Sequence, residues 1–147
     1  MASNNVPEND TLARYVKPSH ILADPISGKI GLFTDAFKLR PDERDLSASW
    51  IEYYSGMNRA EQIAATITAF KSAISVKKSA AFALGNVGKI KAACSRYSVN
   101  VRVLHEPDPP HLPGHVAIHR YRDDDAELLS LLADTIWSEV VPANSTS

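Results

Sequence analysis

Val99–Tyr121 reads VNVRVLHEPDPPHLPGHVAIHRY. Val99, Val101 and Val103 alternate with Asn100 and Arg102. Alternation of β-branched and polar residues predicts a strand with one buried face. Residues 106–114 then hold four prolines in nine positions, which continue neither a helix nor a strand, so they form a loop. His115 to Tyr121 supplies a second strand. Two strands this close in sequence require a sheet in the fold.

Upstream of this unit, Asn58 and Glu61 have the spacing of a helix-capping box. Ile63, Ile67, Phe70 and Ile74 follow as one apolar stripe, which predicts a helix over 58–75. Lys71, Lys77 and Lys78 stand at its far end, where positive charge suits the helix dipole. Ala80 to Val87 is short and apolar and predicts a buried strand, Gly88 a turn, and Lys89 to Tyr97 a short helix. Downstream, Asp123, Asp124 and Asp125 open a helix predicted over 123–140, with Leu128, Leu129, Leu132, Ala133, Ile136 and Val140 on its core face. The order predicts an α+β domain: a sheet of about three to five strands, two main helices and a short one near 89–97.

The first half of the chain signals more weakly. Leu12 to Leu22, broken by Pro18, suits a strand leading into a turn or a short helix. Gly28 to Phe33 suits a short strand, and Phe37 to Asp45 a charged surface loop. Leu46 to Tyr54 fits both periods: Leu46, Ala48 and Trp50 repeat every two residues, while Trp50, Tyr53 and Tyr54 share a helical face. Polar residues at 1–11 and 142–147 predict flexible tails around a single domain at 12–141.

The chain has 147 residues, 44% hydrophobic and 22% charged, the composition of an ordinary globular domain. Its one cysteine, Cys94, forms no internal disulfide and suits a reducing compartment. Residues 1–10 lack the apolar core of a signal peptide, and no apolar run approaches the ~20 residues that cross a bilayer. A cytoplasmic protein without membrane attachment is expected, and no motif calls for a cofactor.

Charge order carries more information than the net charge of −1. Residues 62–105 contain no acid and seven bases: Lys71, Lys77, Lys78, Lys89, Lys91, Arg96 and Arg102. Residues 106–147 contain eight acids and only Arg120 and Arg122. The basic block is a candidate binder of nucleic acid, a phosphate-bearing ligand or an acidic protein, with Lys77, Lys78, Lys89, Lys91, Arg96 and Arg102 as contacts. Gly85 and Gly88, ahead of Lys89 and Lys91, would add backbone amides for a phosphate, though outside any Walker frame. The competing expectation is that the acidic last helix folds against the block and cancels it.

Four of the five histidines lie between His105 and His119. His111, His115 and His119 are spaced as a metal ladder, but that spacing works on a helix, and Pro113 and Gly114 oppose one. In a strand His115 and His119 lie roughly 13 Å apart, so no shared metal is expected. His105 and His115 end and begin neighbouring strands. As a hairpin pair they would make an acid and a base near neutral pH. Their alternative role is that of strand-end histidines bonded to loop carbonyls.

Arg40, with Glu43 three residues on, suits an anion site with Glu43 as a base, or equally a solvated turn. Arg14, Lys17, Ser19 and His20 would add a second anion-facing edge. Ser47 and Ser49 lack the Gly-x-Ser-x-Gly frame of a nucleophile, and Cys94 suits a small buried residue. The leading expectation is a binding or accessory module of a larger bacterial complex, acting through its basic block. The alternative is a small enzyme acting on a nucleotide or phosphoester with His105 and His115.

Overall fold

The computed structural model describes residues 4–23, 25–27, 30–108 and 110–145. Gly28 and Lys29 of the expected 28–33 strand, and residues 1–3 and 146–147 of the expected tails, lie outside the described residues. In chain order the main elements are Thr11–Val16 (β1), Ile21–Ala23 (β2), Ile30–Leu32 (β3), Leu46–Trp50 (β4), Arg59–Ala73 (α1) and Ala81–Asn86 (β5). Then come Val87–Arg96 (α2), Arg102–His105 (β6), His115–His119 (β7), Ala126–Leu131 (α3) and Glu139–Pro142 (β8). Six strands form one antiparallel sheet in the order β6-β7-β4-β1-β5-β8, and β2 pairs with β3 in a separate hairpin.

The class is α+β, as expected, but among the described residues there are eight strands, six of them in the main sheet where three to five were predicted. The unexpected strands are β2 and β8, three and four residues long, too short for alternation to show. Leu46 to Tyr54 proves to be both things at once: β4 through Trp50, then a 3-10 turn over Ile51–Tyr53.

The sheet is covered on both faces. On one, Leu12, Ala48, Ala83, Val103, Val116 and Ile118 pack against α2, α3 and the turn after it, with Trp137 fully buried. On the other, Ala13, Phe82 and Leu84 meet Ile67 and Phe70 of α1. Helix α1 forms where its local signals said: Asn58 accepts from Glu61 N, and the Glu61 carboxylate accepts from Asn58 N. Helix α2 closes with Ser98 in the left-handed region (φ 63°) and Val99 N donating to Cys94 O. That bond ties Val99 to the helix end, so regular pairing begins only at Arg102.

The helix expected over 123–140 is shorter. Asp125 caps α3, which ends at Leu131. One π-turn follows at Leu132–Ile136, and the chain then extends as β8 along β5. Val140 fits the helical stripe by number but pairs with Ala83 as a strand residue. The ends of the domain are tied in as well. Val6 is 3% exposed and its N–H donates to Val103 O, while Ala143 is 2% exposed and its N–H donates to Ala80 O. No helix among the described residues is long and apolar enough to cross a membrane.

Candidate anion-binding site

Strands β6 and β7 pair with Arg102 opposite His119, Val103 opposite Ile118, Leu104 opposite Ala117 and His105 opposite Val116. Directly opposed residues share a face. Val103, Val116 and Ile118 lie in the α2–α3 core, so Arg102, Leu104 and His119 point to the other side. The loop before β4 and the turn after β7 end beside them. Arg44, Arg102 and Arg120 thereby line one cavity of about 420 Å³ with Asp45, Leu104, His119 and Tyr121.

All three arginines are exposed, and none has an ion-pair or hydrogen-bond partner for its side chain among the described residues. Arg120 stands in the left-handed region (φ 64°), a conformation that costs a side-chain-bearing residue about 1 kcal/mol. The floor of the cavity is fixed. His119 Nε2 lies 2.5 Å from Glu106 Oε2, its Nδ1 is 3.6 Å from Asp45 Oδ2, and the Tyr121 hydroxyl donates to Phe37 O. Burial pushes the Tyr121 phenol far up, so it stays protonated and keeps that bond. The cavity thus offers three free guanidinium groups against one carboxylate at its wall. Planar N–H forks of this kind match phosphate and carboxylate oxygens.

Other expected site residues fall elsewhere. His105 and His115 do flank one hairpin, but the register turns His105 to the core face and His115 to the opposite one. Each bonds a loop carbonyl instead: His105 Nε2 with Pro113 O at 2.8 Å, His115 Nδ1 with Glu106 O at 2.9 Å. The acid–base pair is not assembled. Glu43, expected as a base, is 5% exposed and accepts from Arg40 N, Arg40 Nη2, Ser47 N and both Nη atoms of Arg14. Burial pushes its pKa up, but the Arg14 charge, the Arg40 N–H and the Arg14 hydrogen bonds outweigh it and hold the carboxyl below its ordinary value. A carboxylate so occupied is a poor base. Arg40 is exposed and carries one ion pair, to Glu43.

The basic block is dispersed. Lys77 and Lys78 precede β5, whereas Lys89, Lys91 and Arg96 follow it on α2, across a strand about 17 Å long. Helix α1 and helix α2 also cover opposite faces of the sheet. Of the block, only Lys91 pairs with an acid among the described residues, and that acid is Glu8 rather than one from the acidic segment. Direct ion pairing of the block with the last helix is absent among the described residues. Arg14, Lys17, His20 and Arg40, by contrast, do converge, around a cavity of about 50 Å³ with Lys38 and Asp35. Burial, then the Lys17 charge, lowers the His20 pKa there.

Among the described residues no cluster of three or more His, Cys, Asp or Glu side chains is arranged to hold a metal ion. Cys94 is buried in the core, and burial pushes its thiol up to about 11, which leaves it unreactive. Compared with protein families, with curated proteins and with solved structures, the chain matches none.

Proposed function

We propose that this protein is a binding module for a phosphate-bearing ligand, held at the cavity of Arg44, Arg102 and Arg120. One observation carries this reading: three guanidinium groups without carboxylate partners line a single cavity of about 420 Å³. Three guanidinium groups set against Asp45 as the one lining carboxylate favour a multiply charged anion. Sites of ~300–1,000 Å³ suit small ligands. Arg102 comes from the basic block, and Arg44 and Arg120 join it from two turns.

Inorganic pyrophosphate and ATP test the reading on the full chain by calorimetry at low and high salt. Saturable binding that weakens steeply with salt is expected, because screening acts on exposed charges. Arg102→Glu, at an exposed position, should abolish it while the thermal transition is retained. Absence of saturable binding of both probes at low salt, or binding unchanged in Arg102→Glu, overturns it.

A further inference from the structure

β1 and β4 are neighbours at the centre of the sheet, yet they pair at only two positions, Leu12 with Trp50 and Ala13 with Ser49. β1 and β5 pair at six. Beyond Ala13 a side chain replaces the ladder: Arg14 Nη1 donates to Ser47 O at 2.7 Å, and Arg14 Nε to Ala36 O at 2.8 Å. A cavity of about 140 Å³ lies at this seam and shares no lining residue with the arginine cavity.

Its lining divides by chemistry. Phe70, Ile74 and Leu112 form an apolar wall, and Arg40, His115 and Asp108 supply charge and hydrogen bonds. Arg40 uses only Nη2 of its side chain, on Glu43, which leaves N–H groups on Nε and Nη1 without partners among the described residues. His115 Nδ1 faces a carbonyl, which only accepts, so Nδ1 is the donor there and Nε2 of the neutral ring is left as an acceptor. A cavity of ~150 Å³ holds one benzene-sized group. The Asp108 carboxylate disfavours a second negative charge in the ligand.

We infer that this seam binds a small monocarboxylate bearing one apolar group of about benzene size. The carboxylate meets the free N–H groups of Arg40, and the apolar group packs on Phe70, Ile74 and Leu112. This inference does not rest on the phosphate reading.

Benzoate and isovalerate, titrated into the full chain and followed by calorimetry and amide chemical shifts, are the probes. Saturable binding is expected, with shifts centred on Tyr15, Ser47 and His115. Arg40→Gln should weaken it about tenfold, the scale of one charge-assisted contact. Arg40 is exposed, and this change leaves the Arg14–Glu43 pair in place. Benzamide and the dianion phthalate should each bind more weakly than benzoate, and Ile74→Trp, at a partly exposed position, should block the site without loss of fold. Absence of saturable binding of both acids, equal binding of benzamide and benzoate, no effect of Arg40→Gln, or shifts centred on Arg44, Arg102 and Arg120 would each overturn the inference.

Discussion

Glu43 shows how one side chain organises the turn that carries Arg40 and Arg44. It bridges the buried Arg14 and the exposed Arg40 while accepting from Ser47 N. Removing one partner of a buried charge pair leaves the other uncompensated, so Glu43→Ala should cost about 3 kcal/mol in denaturant unfolding. The pH dependence has a definite sign. The folded-state pKa lies below the ordinary 4.5, so the contribution is complete above that value. It is lost as pH falls from there through the depressed pKa. Glu43→Gln should therefore flatten the acid limb of the stability profile. Arg120 tests folding against binding at one position. Its φ of 64° suits glycine, so Arg120→Gly should leave thermal stability equal or higher by about 1 kcal/mol while pyrophosphate affinity falls. A fall in both would assign the residue a structural role instead.

Among the elements, α1 was legible because its signals are local: an Asn58–Glu61 box and the stripe of Ile63, Ile67 and Phe70, although Ile74, expected to continue it, caps the helix and is exposed. Asn58→Ala should cost about 1 kcal/mol, measured by chemical denaturation. β8 was not legible, because Val140 and Val141 continue the apolar pattern of the preceding helix. Only tertiary pairing with β5, after the π-turn, draws them into the sheet. β5 itself carries a tight constraint at Gly85. A Cβ there would meet Trp137 Cδ2 at 2.9 Å and Ile90 Cδ1 at 3.3 Å. Trp137 is fully buried, so the added methyl must displace a packed ring, and Gly85→Ala should destabilise the fold by about 1–3 kcal/mol, visible as a lowered Tm.

At the scale of the whole molecule, strand order was beyond reach of the sequence because every pairing across the middle of the sheet joins distant segments. The same holds for the arginine cavity. Arg102 stood out by charge order, but Arg44 and Arg120 reach it only through the β4–β7–β6 pairings. The Arg14, Lys17, His20 and Arg40 grouping was legible in part, since each is a basic or polar residue in an otherwise weakly patterned stretch. The segment ahead of β1 guards the β6 edge: Asn5 bridges Leu104, and His105 N donates to Asn4 O. Deleting residues 1–6 should lower Tm and promote self-association by light scattering, because it bares strand edges and removes the buried Val6. The seam beside Arg14 has a mechanical consequence. The sheet is two three-stranded plates, β6-β7-β4 and β1-β5-β8, riveted at one corner by Leu12–Trp50 and Ala13–Ser49. A plate fastened at a corner twists more readily than one fastened along its length, so whatever wedges the free side of the joint also sets the angle at which the two plates meet.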